Sequence, residues 1–272
     1  MVKNYGGKKS GFKKSNKKFK TKPKKPAGGM NLRGKLLYGT HACIEAMKNP
    51  DRKIYKIHVT QKLWDNVIAE MVSENRGTLP DPEFTEKDIL DTMLPNGAVH
   101  QGIAIDVSAE EEVFLNDIII KSKTRDKTLL VMIDQVTDPH NIGAILRSAA
   151  GFGAMAMIGQ NRHMPDVTPA MAKIACGAVE HVPILREKNL SEALETLKDE
   201  GFTCIGLDER GESTLAEMPK SNKMVIVMGA EGKGLRPWVA DTCTHLARLP
   251  TRPPIASLNV SNAAAIALYE FA

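Results

Sequence analysis

The stretch LLVMIDQVTDPHNIGAILRSAA, residues 129–150, decides the fold class because it joins a short apolar run to a helix across a turn. LLVMI (129–133) has the length and composition of a buried strand. Asp138-Pro139 bends the chain, and we expect Asn141 to cap the helix that follows. Apolar residues then recur at the spacing of one buried helix face, at Ile142, Ile145, Leu146 and Ala149.

Four further runs of strand length follow, with helical segments between them. They are AMAMIG (154–159), CIGL (204–207), MVIVMG (224–229) and HLARLP (245–250). Short apolar strands that alternate with helices are typical of a parallel sheet covered on both faces. The predicted fold class of residues 128–272 is therefore α/β.

Ligands of such sheets bind at the carboxyl ends of the strands, so the loops after Ile133, Met228 and Leu249 are the informative ones. The loop GAEGKGLRP (229–237) contains three glycines, which indicates unusual backbone angles or close approach of a ligand. Its spacing matches neither the dinucleotide-binding motif nor the P-loop, which argues against a nucleotide-dependent oxidoreductase.

Each polar side chain in these loops has a structural and a functional interpretation. Asn141, Ser257 and Asn259 are placed to cap helices, while Glu231 and Arg147 can simply be solvated. Gly143 lies one helical turn before Arg147, and we interpret its missing side chain as room for a substrate backbone. No single loop decides between these interpretations.

Residues 30–108 form a separate, smaller α/β unit in this interpretation. LLYGTHACIEAMKN (36–49) predicts a short strand and a helix, KIYKIHVT (53–60) alternates as a strand, and GAVHQGIAIDV (97–107) ends as another. The acidic stretch 109–127 is predicted to be a linker, with a helix in it, that leads to the second unit, 128–272.

The first 29 residues differ from the rest in charge. They contain eleven lysines and no Asp or Glu, so the other 26 basic residues face all 32 acidic ones. The net charge of +5 is thus a tail at +11 and a body at −6. This composition predicts a disordered arm that suits a polyanion with exposed bases, bound through phosphate contacts and stacking, with a solubilising arm as the alternative. A body at −6 would hold such a polyanion through local groups, among which we expect Arg147, Arg162, Lys173, Arg186 and Arg252.

Composition also excludes several classes of protein. The four cysteines form no C-x-x-C pair and no ligand spacing with the seven histidines, which argues against a structural metal or a disulfide framework. No apolar run approaches the roughly 18 residues of a membrane span. We therefore expect a soluble cytoplasmic protein without a metal.

Three motifs in order carry a family resemblance: DPHNIGAILRSA (138–149), MGAEGKGL (228–235) and SLNVSNAAAIALYE (257–270). They resemble the signature motifs of the SpoU/TrmH family of RNA ribose 2′-O-methyltransferases, in the SPOUT superfamily. Residues 36–47 and 97–107 resemble the substrate-binding domain of the 23S rRNA guanosine-2′-O-methyltransferase subgroup. The resemblance implies an L30e-like first domain, a SPOUT-type second domain with a deep C-terminal trefoil knot, a homodimer and a 23S rRNA substrate.

The resemblance also implies a cofactor and a set of site residues. S-adenosylmethionine would contact Gly229, Leu249 and Leu258. The catalytic and RNA-contacting positions carry over to Asn141, Arg147, Glu231, Ser257 and Asn259. The chain departs from the family at residues 249–253, where LPTRP replaces the usual I-P-M-x-G, so the loop that covers the cofactor differs.

The implied reaction moves a methyl group to a ribose 2′-hydroxyl, whose proton must leave as the new bond forms. Because a guanidinium resists deprotonation, we expect Arg147 to hold the adjacent phosphate and the 2′-oxygen rather than act as the base. Asn141 and Asn259 would position the RNA, and Glu231 would fix the loops. The alternatives are a tRNA ribose 2′-O-methyltransferase and a catalytically silent RNA-binding factor in ribosome assembly.

We expect deletion of residues 1–29 to weaken RNA binding and to flatten its dependence on salt, because the deleted lysines release counterions when they bind phosphates. Cofactor affinity and the methylated nucleotide should not change. Filter binding over a salt series measures the first effect. A different methylated nucleotide after the deletion would show that the tail selects the site.

Overall fold

The computed structural model describes Met1, residues 31–254 and residues 257–272. Apart from Met1, the predicted tail lies outside the described residues. The described chain contains two β-sheets. The first unit consists of β1 Lys35–Tyr38, α1 Thr40–Lys48, β2 Ile54–Val59, α2 Gln61–Leu63, a π-helical segment Trp64–Ile68, α3 Ala69–Met71, a 3-10 helix Ser73–Thr78, β3 Pro82–Phe84, α4 Lys87–Met93 and β4 Ile103–Val107.

The first sheet has the strand order β1-β4-β2-β3. β4 lies between β1 and β2, is antiparallel to both, and is buried along its whole length. β3 and α4 were not predicted from the sequence. β3 is a three-residue strand that begins at Pro82 and pairs with β2 at the edge of the sheet, and such edge strands carry little apolar signal.

The second unit contains a seven-stranded sheet. Its elements are α5 Leu115–Ser122, β5 Thr128–Ile133, α6 Pro139–Gly151, β6 Ala156–Gln160, α7 Pro169–Ile174, a 3-10 helix Ala178–Glu180, β7 Ile184–Glu187, α8 Leu190–Asp199, β8 Thr203–Leu207, β9 Ser213–Thr214, a 3-10 helix Leu215–Glu217, β10 Lys223–Met228, α9 Pro237–Thr242, β11 His245–Arg248 and α10 Val260–Phe271.

The strand order of this sheet is β7-β6-β5-β10-β8-β11-β9, and every neighbouring pair is parallel. The predicted α/β class with a parallel sheet is therefore confirmed. β7 and β9, the two edge strands, were not predicted, because each is short and only partly buried, so neither forms an apolar run.

Helices cover both faces of the second sheet. Along β5, Leu129, Val131 and Ile133 point to the face covered by α6, α7 and α10, whereas Leu130 and Met132 point to the face covered by α5, α8 and α9. This alternation is the two-residue period of a strand, and both sets of side chains are buried. The continuous apolar run LLVMI thus reflects a strand with a core on each side.

Strand register places four loops side by side. Met228 of β10 is level with Ile133 of β5 on one side and with Leu207 of β8 on the other. Ala247 of β11 is level with Leu207 in turn. The loops after β5, β10, β8 and β11 consequently leave the sheet at the same edge, where ligands of parallel sheets bind.

Helix α6 follows the predicted buried stripe, but two interpretations at its start are wrong. The cap is Asp138, whose Oδ1 accepts a hydrogen bond from His140 N at 2.9 Å, so Asn141 lies inside the first turn and is not the cap. Gly143 faces α7, where a Cβ would stand 2.9 Å from Met171 O. The space at Gly143 is therefore filled by a neighbouring helix and is not available to a substrate.

We expect Gly143→Ala to lower the free energy of unfolding by about 1–3 kcal/mol, because the added Cβ would overpack the contact between α6 and α7. Gly151→Ala is the matched control at the end of the same helix, where a Cβ meets no atom within 4 Å. Urea unfolding measures both variants. Equal stability of the two would contradict the close helix contact.

Candidate active site

The carboxyl edge of the second sheet surrounds a cleft of about 290 Å³. Its walls come from the ends of β8, β10 and β11 and from the segment that leads into α10. The cleft therefore lies between loops that are far apart in the sequence. Lining residues include Asp208, Gly229, Glu231, Leu249, Ser257 and Leu258.

Glu231, in the loop after β10, joins the first turn of α6 to the start of α10 through one carboxylate oxygen. Its Oε1 accepts hydrogen bonds from Asn141 Nδ2 at 3.2 Å, from Asn259 Nδ2 at 2.5 Å and from Val260 N at 3.3 Å. Asn259 Nδ2 also donates to Asn141 Oδ1 at 3.0 Å. We call Asn141, Glu231 and Asn259 the amide–carboxylate cluster. Its negative charge lies at the N-terminus of α10, where the helix dipole favours an anion.

Asn259 has a second function as the N-cap of α10, as predicted. Its Oδ1 accepts hydrogen bonds from Ser261 N at 2.9 Å and from Ser261 Oγ at 2.5 Å. Because the oxygen and the nitrogen of this amide are both engaged, its orientation is fixed. Ser257, which could also have been a cap, instead lies exposed at the rim of the cleft.

The residues predicted to contact the cofactor line the cleft. Gly229 is buried, and a Cβ at this position would stand 2.2 Å from the backbone carbon of Gly234, so only glycine allows the loop to fold back on itself. Gly234 N closes that fold by donating to Ala230 O at 2.9 Å. Leu249 packs against the core beneath the cleft, and Leu258 is partly exposed at its rim.

Arg147, like Ser257, is a predicted residue that the structure does not bring into the cluster. It lies six residues after Asn141 in α6, about 9 Å further along the helix axis. Its side chain is exposed, and it makes no hydrogen bond or ion pair with any residue in the described part of the chain. All five of its N–H donors are available to a ligand.

A buried carboxylate at the end of β8 was missed in the sequence. Asp208 is 7% exposed, and its two oxygens accept hydrogen bonds from Arg210 Nε at 2.7 Å and Arg210 Nη2 at 2.8 Å. Leu235 N, in the loop after β10, donates to Asp208 Oδ2 at 3.1 Å. The hydrogen bonds from Arg210 lower the pKa of Asp208 to about 2, although burial acts in the opposite direction. The sequence signal for this carboxylate is the polar run DER (208–210), which directly follows the apolar run CIGL (204–207).

Two other arginines are held by the protein itself. Arg236 Nε donates to the fully buried Asp134 at 2.8 Å, which fixes the far end of the glycine-rich loop to the end of β5. Arg186 donates to Met164 O and to Pro165 O at 2.7 Å each. The side chain of Arg186 thus has a structural role, and its predicted RNA contact stays a prediction. Arg162 and Arg252 are exposed, and Lys173 is partly buried.

The same architecture occurs in solved structures of methyltransferases. The SpoU methyltransferase AviRb from Streptomyces viridochromogenes, solved with the cofactor AdoMet, superposes with a TM-score of 0.69 at 22% identity, covering 86% of this chain and 88% of that one. An AdoMet-bound rRNA methyltransferase from Sinorhizobium meliloti gives a TM-score of 0.68 at 24% identity, covering 86% and 85%. The fold is that of an α/β methyltransferase.

Sequence models of two families match this chain. The model described as the SpoU rRNA Methylase family matches residues 128–269, and the model described as RNA 2′-O ribose methyltransferase substrate binding matches residues 36–113. The chain belongs to the SpoU rRNA Methylase family and is an RNA 2′-O-ribose methyltransferase. The resemblance drawn from the three motifs is confirmed.

Similar relatives extend over nearly the whole described chain. The 23S rRNA (guanosine-2′-O-)-methyltransferase RlmB of Pseudomonas syringae is 35% identical, with 86% of this chain and 93% of that protein covered. RlmB of Escherichia coli K12 is 31% identical, with 86% and 96% covered. A tRNA/rRNA methyltransferase of Synechocystis is 38% identical, but this chain spans only 61% of its length.

The described residues contain neither a membrane-spanning helix nor a cluster of metal ligands. Within residues 31–254 and 257–272, no helix is long and apolar enough to cross a bilayer. In the same ranges, no group of three or more His, Cys, Asp or Glu side chains is arranged to hold a metal ion.

The low pKa of Asp208 gives a pH-dependent contribution to stability. Because the folded-state pKa is about 2 and the usual value is 3.8, the contribution is present above about pH 4 and is lost as the pH falls toward 2. We expect Asp208→Asn to be less stable than the native chain by up to about 2 kcal/mol at pH 7, a difference that narrows toward zero near pH 2.

Urea unfolding between pH 2 and pH 7 measures this difference. Asp126→Asn is the control, because Asp126 is exposed and lies before the start of β5, at the opposite edge of the sheet from the glycine-rich loop. A constant difference between Asp208→Asn and the native chain over the whole range would show that the Asp208 charge is not responsible.

Proposed function

We propose that this protein methylates the ribose 2′-hydroxyl of a guanosine in 23S rRNA, with S-adenosylmethionine as the methyl donor. The observation that carries the proposal is the amide–carboxylate cluster, which joins all three motifs at the mouth of one cleft. The RlmB relatives support the choice of substrate, because they are 23S rRNA guanosine methyltransferases that match from the first unit to the last. The substrate-binding match over residues 36–113 supports RNA as the partner.

The walls of the cleft fit S-adenosylmethionine. Leu249 and Leu258 offer apolar surface to an adenine ring, and the loop that Gly229 allows to fold back presents backbone groups for hydrogen bonds. These three residues would hold the cofactor, which supplies an electrophilic methyl group when bound. The departure at residues 249–253 does not remove the cleft, because Leu249 and Thr251 still line it.

The protein contributes alignment rather than a strong base. Asn141 and Asn259 would position the target ribose, and Glu231 holds both amides so that neither rotates. Ser257 at the rim would contact the RNA. Fixing the hydroxyl oxygen in line with the methyl group accounts for a large part of the rate gain in such transfers.

Arg147 would hold the phosphate beside the target ribose. A guanidinium presents a planar fork of N–H donors that matches phosphate oxygens, and in Arg147 these donors have no partner within the described residues. Loss of the hydroxyl proton would then be assisted by that phosphate or by water. The distance of Arg147 from the cluster along α6 is consistent with a contact one phosphate away from the reacting oxygen.

The organisation of the whole chain belongs to the same proposal. Residues 1–29 capture RNA, and residues 30–108 form an L30e-like domain that holds it. Residues 109–127 link this domain to residues 128–272, which form the catalytic domain of a homodimer in the cytoplasm. Ile266 and Tyr269 support the dimer, because they leave an exposed apolar strip on α10. The family's trefoil knot would lie in the second domain; its support is that α10, the last helix, packs against α6 and β10.

Mapping of 2′-O-methyl groups tests the proposed function. We expect one guanosine of 23S rRNA to lose its methyl group in cells that lack this protein and to regain it when the native chain is restored. Loss of a tRNA methyl group with rRNA unchanged would favour the tRNA alternative. No measurable S-adenosylmethionine binding by calorimetry would favour the silent assembly factor.

We expect Arg147→Lys to slow single-turnover methylation by roughly tenfold to a hundredfold, because an ammonium cannot form the paired contacts of a guanidinium fork. S-adenosylmethionine affinity should stay unchanged, since Arg147 does not line the cleft. Rapid-quench assays with saturating RNA measure the rate. A near-normal rate would refute the special role of the guanidinium.

A further inference from the structure

The two units of the chain meet along a seam with a continuous apolar contact. Val167 and Val179 of the second unit pack against the core of that unit and also against the core of the first. Ala172 of α7 is buried within the first unit's core. The linker is therefore not the only connection between the two units.

A buried ion pair crosses the same seam. Arg52 Nε of the first unit lies 3.0 Å from Glu180 Oε2 of the second, and their side chains are only 4% and 3% exposed. Asn49 Nδ2 donates to the same Glu180 oxygen at 2.9 Å, and Arg52 Nη2 donates to Glu110 Oε1 at 3.3 Å. Glu180 is thus held by two side chains of the other unit.

Close backbone approach reinforces this contact. Gly177 has a φ of +87°, and a Cβ there would stand 2.5 Å from Glu45 Cγ of α1. At the outer edge of the seam, His181 Nε2 lies 2.8 Å from Glu45 Oε2. Helix α1 therefore packs directly against the 3-10 helix Ala178–Glu180.

The ion pair is not the most stabilising way to hold the seam. Arg52 Nε and Nη1 are buried without a hydrogen bond in good geometry among the described residues. Buried ion pairs often stabilise a fold less than apolar residues of the same volume would, whereas some of them define one orientation between the parts they join. The geometry of this pair thus favours a role in orientation.

We infer that the Arg52–Glu180 pair is a positioning device that fixes the RNA-holding unit relative to the amide–carboxylate cluster and so selects which nucleotide is methylated. This inference rests on the proposed function, in which residues 30–108 hold the RNA. α7, which packs against β1, also packs against α6, the helix that carries Asn141. A rotation at the seam therefore moves the bound RNA relative to the reacting groups, and small displacements of this kind lower rates strongly.

Glu180→Gln tests the inference in the full-length chain. The substitution keeps the shape of the side chain and removes the charge that holds Arg52. We expect amide hydrogen exchange to rise at least tenfold in residues 39–52 and 169–182, with no change in β5. With saturating 23S rRNA we expect kcat to fall at least tenfold, methyl groups to appear on neighbouring nucleotides, and calorimetric S-adenosylmethionine affinity to stay within twofold.

Glu200→Gln is the matched control. Glu200 pairs with Lys123 at 2.9 Å, but the side chains are 34% and 55% exposed, and both residues lie outside residues 30–108 and outside the seam. The control should leave exchange, kcat and the methylated nucleotide unchanged. Arg52→Lys is the second variant, to be used if Glu180→Gln does not fold. It retains the positive charge but not the planar guanidinium. We expect a smaller rise in hydrogen exchange at the seam and a smaller fall in kcat than for Glu180→Gln.

Hydrogen exchange separates failure of this inference from failure of the proposed function. Unchanged exchange at the seam in Glu180→Gln would overturn the inference whatever the RNA substrate is. Increased exchange together with native kcat and a single native methylation site would also overturn it. A native chain that methylates tRNA and not 23S rRNA would refute the proposed substrate, and the same site mapping would then be carried out on that tRNA.

Discussion

One carboxylate oxygen, Glu231 Oε1, is the constraint on which the active site depends. It accepts hydrogen bonds from Asn141, Asn259 and Val260, which lie 90, 28 and 29 residues away in the chain. Without this oxygen, the two amides would keep only their mutual hydrogen bond and the cap of Asn259 on Ser261, and neither would be tied to the glycine-rich loop. The helix dipole of α10 stabilises the negative charge at that point, so the cluster is electrostatically consistent with its place in the fold.

The surrounding carboxylates make the glycine-rich loop a rigid part of the site. Asp208 holds the loop at Leu235 N from the β8 side, and Asp134 holds it at Arg236 from the β5 side. Both acids stand at the ends of strands whose register is level with β10. A loop with three glycines would otherwise lose considerable conformational entropy when it orders around a ligand, and these two anchors reduce that cost before binding.

The distribution of charge separates two tasks along the chain. The body is acidic overall, so under the proposed function the long-range attraction of RNA would fall to the lysines of the first 29 residues, and contacts near the cleft would depend on individual groups such as Arg147. The seam between the units would add a third requirement, because RNA held by the first unit would reach the cleft in one register only if the units keep a fixed orientation. Arg52 and Glu180 lie in that seam.

The sequence by itself determined the parallel sheet, the buried stripe of α6 and the three loops of the site, because apolar runs, helical spacing and turn residues are local signals. It also predicted Asn141, Glu231 and Asn259 as site residues, through motifs that are specific only as an ordered set. Tertiary structure decided which of them touch, that Asp138 caps α6, that α7 fills the space at Gly143, and that Arg147 stands apart from the cluster. It alone showed Asp208 and the Arg52–Glu180 pair, since a charged residue looks the same in the sequence whether its partner lies across the fold or is the solvent.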